Sequence, residues 1–195
     1  EYYYENYEPT KAGRAVQLFV DEYLSNWYVR LCRRRFWKGS FSDDKISAYQ
    51  TLYSCLKTVS LLIAPIAPFF ADRLFIDLND VTKINKIKSV HLSDWPLYNP
   101  SFINKELEIR MQLAQTLSSM VLSLRKKTGI RVRQPLSKIM IPYSEDVFRE
   151  RVESVSNIIL SEVNVKEIDF IKDTEGKLVK IIKPNFKNLG PRYGK

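Results

Sequence analysis

The chain has 195 residues, 45% of them hydrophobic and 12% aromatic, with 31 Lys and Arg against 22 Asp and Glu for a net charge of +9. That length and apolar content exclude a disordered tail and fit one large domain, or one domain plus a small one. The charge calls for a polyanionic partner, either nucleic acid or an anionic membrane surface, and does not choose between them.

Residues 1–9 are polar and tyrosine-rich and read as an extended lead-in ending at Pro9. Thr10 is the expected N-cap of a helix from Lys11 to Phe36. Along it Val20, Leu24, Trp27, Tyr28 and Leu31 recur at steps of three and four, so they share one apolar face. Arg30, Arg33, Arg34 and Trp37 recur at the same steps on another face, and Lys38 follows them. One edge can be buried while the other offers guanidinium groups and an indole to a partner. The plainer reading is a solvated basic helix end, with cations favoured by the negative end of the helix dipole. Arg35, four residues after Leu31, is either a further contact or a paired structural arginine. Trp27, Tyr28 and Trp95 are assigned to the core.

Gly39 follows the end of this helix. Ser42 with Asp43 and Asp44 starts the next, whose apolar face is Tyr49, Leu52, Tyr53, Leu56, Val59, Ser60 and Ile63. It stops or kinks at Ala64-Pro65. Ala67-Pro68 opens a third helix, because Pro is tolerated in a first turn, and this one ends near Asn79-Asp80. Residues 81–102 look irregular, with a short extended piece at Val90–Pro96 and Trp95 as a plug. A long helix then runs from Asn104 to Lys127, with Leu107, Met111, Ala114, Leu117, Val121 and Leu124 as its buried stripe, and Gly129 ends it.

A second basic cluster runs from Arg125 to Leu136, with Arg125, Lys126, Lys127, Arg131 and Arg133 and no acid. After Gly129 it reads as extended, so that Arg131 and Arg133 point to one side and Ile130 and Val132 to the other. Two planar forks at that spacing suit phosphates or base edges, and Gln134 can both donate and accept toward a base. The plainer reading is a basic loop without a partner. Beyond Pro135 the pattern changes to a strand at Ser137–Ile141, a helix at Glu145–Leu160 and strands at Val165–Ile171 and Leu178–Ile182, the last two joined by the turn Asp173-Thr174-Glu175-Gly176. A third cationic set, Lys177, Lys180, Lys183, Lys187, Arg192 and Lys195, reads as a solvated strand face and tail.

The expected fold class is therefore mainly α: an antiparallel helix bundle over residues 1–135, followed by a small β-α-β-β subdomain over residues 136–195. Catalytic constellations are missing. Gly39 and Gly129 stand alone, so there is no glycine-rich phosphate loop. His91 is the one histidine, which rules out a triad or a metal cluster built on imidazoles. Asp43-Asp44 and Asp77-Asn79-Asp80 read as caps. Cys32 and Cys55 lie in helical patterns with no Cys-x-x-Cys, which favours free thiols and a reducing, cytoplasmic setting. No run of about 18 apolar residues occurs, so no membrane span is expected. The first residue is Glu1 rather than Met, and a segment of a longer protein is expected.

Five stretches in order resemble one family. Ser25–Arg30 with Arg33–Trp37 resembles the first helix of the anticodon-binding domain of isoleucyl-tRNA synthetases. Leu61–Phe69 resembles the leucine-rich, proline-broken helix found there and in valyl and leucyl relatives, and Ser89–Pro96 resembles the segment that follows it. Gly129–Leu136 and then Glu162–Lys166 look most like isoleucyl enzymes, in the branch shared by eukaryotes and some bacteria.

The resemblance implies the C-terminal tRNA-binding region of a class I synthetase, with tRNA and the rest of the parent enzyme as partners and the piece itself a monomer. In such enzymes a Rossmann-type domain with HIGH and KMSKS signatures uses ATP to activate isoleucine, and an editing domain removes valine. Those signatures are not in these residues, so no catalytic residue, metal or cofactor is assigned here and ATP belongs to the parent's catalytic domain. The implied role is binding of the anticodon stem-loop of isoleucine tRNA. Arg30, Arg33, Arg34, Lys38, Arg125 and Lys127 would meet phosphates, Trp37 would stack, and Arg131, Arg133 and Gln134 would make direct contacts. The two basic segments are expected to act as one electropositive wall. The alternatives are the same domain of a valyl or other branched-chain synthetase, a basic helical module that docks acidic proteins and needs an exposed apolar groove, and, last, a membrane-surface helix.

Overall fold

A computed structural model describes residues 1–83 and 87–172. It divides into two compact units, Glu1–Ile103 and Asn104–Lys195. The fold class is the expected one, helix packed on helix and a small α/β piece after it. The expected strand at Leu178–Ile182, the turn before it and the third cationic set lie outside the described residues. The long helix at residues 105–127, grouped with the bundle by the sequence reading, falls in the second unit.

In the first unit the order is α1 (Tyr2–Glu5), α2 (Pro9–Leu18), a π-helical segment (Phe19–Val29), α3 (Arg30–Trp37), α4 (Asp43–Ile63) and α5 (Pro68–Thr82), with single 3-10 turns at Val90–Leu92 and Pro100–Phe102. The lead-in is not extended as expected. Tyr2–Glu5 forms a helical turn, and the Tyr4 hydroxyl donates to the Leu62 carbonyl (2.7 Å) while its ring meets Trp95 edge-on at 5.5 Å. A lone turn of four residues carries no periodicity to read. Glu8, not Thr10, stands at the N-cap of α2, because Pro9 takes the first helical position, where its missing N–H costs nothing.

The helical run from Pro9 to Trp37 is continuous, but its middle is wound with i→i+5 bonds. That winding shifts the buried face. Leu24, Trp27, Cys32 and Phe36 are buried, whereas Val20, Tyr28 and Leu31 are half-buried. An α-helical register would have put Leu31 and Arg35 where Cys32 and Phe36 sit.

Ser42 caps α4 by accepting from the Lys45 N–H, as expected, and α5 starts at Pro68. It runs to Thr82 and ends on Lys83 in the left-handed region, slightly past the expected stop. Val90–Leu92 is a 3-10 turn rather than an extended piece. The reason is Asp72, whose carboxylate accepts from Ser89 Oγ (2.7 Å) and the Val90 N–H (2.8 Å) and folds the chain back onto α5. These two bonds hold its pKa below the usual carboxylate value. Ala71, Phe75 and Val90 form the core there, with Leu61, Ile63, Ala64 and Ile87 around them. Cys32 is a buried free thiol and Cys55 a half-buried one.

The second unit contains α6 (Lys105–Lys127), β1 (Leu136–Pro142), α7 (Asp146–Ser154), α8 (Ser156–Val163) and β2 (Val165–Ile171). The one helix expected at residues 145–160 is broken at Val155, which leaves the helical region at φ −117°, ψ 12°. Strands β1 and β2 pair in parallel, Leu136 opposite Val165 and Pro142 opposite Ile171. Parallel strands need a crossover, and α7–α8 supplies it. Val152, Val155, Ile159 and Val163 are buried inside it, and α6 packs on both helices.

The α6 stripe holds in its middle, where Ala114 is buried and Met111, Leu117 and Val121 are half-buried, and departs from expectation at its ends. Leu107 and Leu124 are more than half exposed, and the buried residues are Ala114, Ser118 and Arg125. At the N-terminal end of α6, Glu106 accepts from Arg110 Nε (3.1 Å) and from Arg151 Nε and Nη2 (3.0 and 2.9 Å), tying α6 to α7. The Arg151 and Arg110 bonds hold the Glu106 pKa below its ordinary 4.5. A carboxylate lowered on folding stabilises above its ordinary pKa and loses that effect as pH falls through the lowered value. Glu106→Gln is therefore expected to lower the urea midpoint at neutral pH, with the gap to the parent chain closing as the pH drops below 4.5. A gap independent of pH would remove the charge from the explanation.

Candidate nucleic-acid interface

The two basic segments lie one in each unit. In the first, α3 and the end of the π-helical segment before it are held against α4 by three polar anchors. The Tyr28 hydroxyl donates to the Ala48 carbonyl (3.0 Å), and the Tyr49 hydroxyl to the Phe36 carbonyl (3.1 Å). Arg35 grips Asp44 with a two-pronged fork, Nε to Oδ2 at 2.8 Å and Nη2 to Oδ1 at 2.7 Å, and Nη2 also reaches the Asp44 carbonyl at 2.9 Å. The Asp44 bonds, ahead of any other influence, push the Arg35 pKa up. Of the two readings left open for Arg35, the structure selects the structural one.

Arg30, Arg33, Arg34, Trp37 and Lys38 are all exposed, and Trp37 shows 82% of its surface. Arg33 and Arg34 make no ion pair among the described residues. Lys38 leaves the helix in an extended conformation, and Gly39 takes φ +80°, which a side chain would strain. Lys45 Nζ donates to the Gly39 carbonyl (3.4 Å) and lies 5.3 Å from the Phe41 ring centroid, bracing this corner. Phe41 is a further exposed aromatic, four residues from Trp37 and past the end of the helix that carries the basic face. Its neighbours Gly39 and Ser42 were legible as stop and start signals, but not the ring between them.

In the second unit the stretch after Gly129 is not extended, and the expected alternation of sides does not hold. The Gln134 N–H donates to the Arg131 carbonyl (3.0 Å), closing a turn. Arg131, Val132, Arg133 and Gln134 are all exposed, as is Lys127 at the end of α6. Arg125 is the correction among the candidate RNA-binding residues. It is 3% exposed, and its guanidinium donates to the carbonyls of Arg131 (3.1 Å), Gln134 (3.0 Å) and Asn164 (3.0 Å). Three carbonyls converge on the two terminal nitrogens of its fork, while Nε has no partner among the described residues, and the helix buries Arg125 where Leu124 was expected. Asn164 adds a bond from Nδ2 to the Val132 carbonyl (2.9 Å). Asn164 sits at φ 52°, a conformation in which Asn is enriched, and that was the available signal for it.

A family model described as the anticodon-binding domain of tRNA ligases matches residues 1–140. This chain belongs to that family. Both basic segments fall inside the matched span, which ends within β1. Relatives are similar over almost all of the chain. An isoleucine–tRNA ligase of Cytophaga hutchinsonii is 56% identical over 191 residues, 98% of this chain and 17% of that protein. One of Bacteroides fragilis is 57% identical over 192 residues, again 98% and 17%. One of Porphyromonas gingivalis is 58% identical over 190 residues, 97% and 16%. The chain thus spans 16 to 17% of the length of these curated relatives. Among the described residues, no helix of the domain is long and apolar enough to cross a membrane.

Proposed function

We propose that this domain binds the anticodon stem-loop of isoleucine tRNA as part of an isoleucine–tRNA ligase. The observation that carries the reading is identity of 55 to 58% over nearly the whole chain with proteins of that name. An anticodon is single-stranded, so its bases can be splayed, stacked on aromatic rings and read at their edges. Arg30, Arg33, Arg34, Lys38 and Lys127 meet phosphates, Trp37 stacks on a base or ribose, and Arg131, Arg133 and Gln134 contact the loop directly. Isoleucine activation, with ATP as its substrate, belongs to the remainder of the longer protein, and the cytoplasm is its compartment.

The test is fluorescence anisotropy of the chain with a labelled stem-loop carrying an isoleucine anticodon, against one with an unrelated anticodon. Preference for the first supports the reading, and equal binding of both defeats it. Trp37→Ala is expected to weaken binding by roughly 1–3 kcal/mol, the worth of one base–aromatic stack, while leaving the melting temperature in place.

A further inference from the structure

We infer that Arg125 and Asn164 are a positioning pair that holds the Arg131–Gln134 turn with its side chains facing out. The inference rests on the reading of residues 131–134 as an RNA contact and deepens it. Of the four carbonyls in the turn, those of Arg131 and Gln134 accept from Arg125 Nη1 and that of Val132 accepts from Asn164 Nδ2. Drawing the carbonyls inward leaves the four side chains outside, as observed.

The pair is also tied to the sheet. The Asn164 carbonyl accepts from Arg125 Nη2 (3.0 Å) and from the Leu136 N–H (3.2 Å), at the point where β1 and β2 begin to pair. The register of the parallel strands therefore places Asn164, Asn164 and Arg125 place the turn, and the turn aims Arg131, Arg133 and Gln134. Arg125 lies in the last turn of α6, where the helix dipole favours a cation, and its charge is met by carbonyl dipoles. Its task needs a planar fork, because one nitrogen serves two carbonyls while another serves a third. A lysine supplies a single point charge in its place.

The experiment measures affinity of the 195-residue chain for an in vitro isoleucine tRNA transcript, well below the melting temperature of each variant. Arg125→Lys keeps the charge and loses the fork. Asn164→Gly keeps the left-handed backbone and loses only the Val132 bond, so it serves if the first variant does not fold. Each is expected to weaken binding about tenfold and to speed hydrogen exchange at the Gln134 amide. Neither should weaken it further once Arg131, Arg133 and Gln134 are already Ala.

A loss that persists in full in that triple-Ala background overturns the inference. So does unchanged affinity in both variants while the triple-Ala change itself weakens binding, and the site reading then survives. If the triple-Ala change leaves affinity untouched, the site reading fails and takes the inference with it.

Discussion

Replacing Arg33 and Arg34 together by Gln is expected to weaken tRNA binding by roughly 10- to 150-fold for each guanidinium removed, since a hydrogen bond to a charged group is worth about 1.5–3 kcal/mol. The double change should also reduce the slope of log affinity against log salt by roughly two units, one per phosphate. Both side chains are exposed and engage no carboxylate among the described residues, so their charge is available to a polyanion. The same exposure predicts that stability stays within about 0.5 kcal/mol of the parent chain. Filter binding across a salt series, with a urea titration alongside, separates the two effects. Arg35→Gln is the internal contrast. Its guanidinium is committed to Asp44, so the salt slope should hold while the packing of α3 on α4 loosens. A slope that falls as much for Arg35 as for Arg33 would mean that exposure is not what selects the phosphate-binding arginines.

Phe75→Ala is expected to destabilise the first unit by about 3–5 kcal/mol, the cost of emptying a fully packed aromatic site. Phe75 is 1% exposed and sits beside Ala71, one turn back on α5, with Val90 folded over it. The surrounding backbone has little freedom to fill the gap, because Asp72 fixes Ser89 and Val90 through two hydrogen bonds. A domain of this size has a total stability of only about 5–15 kcal/mol, so the change consumes a large part of it. Urea unfolding followed by tryptophan fluorescence measures this. A loss below about 1 kcal/mol would show that the pocket collapses around the smaller side chain. RNA affinity measured on the fraction still folded should not change, because Phe75 lies in the core and not on the basic face.

Several residues that break or start helices were legible one by one along the chain, although the Glu8 cap and the break at Val155 were not. Ser42 with two acids after it, Pro68 in a first turn, Asn104 before the long helix and Gly129 after it all act through their own backbone and nearest neighbours. The strands at residues 136–142 and 165–171 and the exposed face of Arg30, Arg33, Arg34 and Trp37 were legible for the same reason, since alternation and helical spacing are local patterns. The shift from Leu31 and Arg35 to Cys32 and Phe36 was not, because a π-helical winding changes the residues per turn without leaving a mark in the spacing.

Arg125 shows the limit most clearly. By its sequence it is one of five cations in a basic cluster with no acid, indistinguishable from its neighbours as a candidate RNA contact. Its fate depends on carbonyls six, nine and 39 residues away that only the packed α6, turn and β2 bring together. The sequence alone determined the helical class, the positions of the two strands among the described residues and the charge this chain presents. The tertiary structure decided which arginines face the solvent and which serve the backbone, because a guanidinium is claimed by whichever acceptors the fold carries to it.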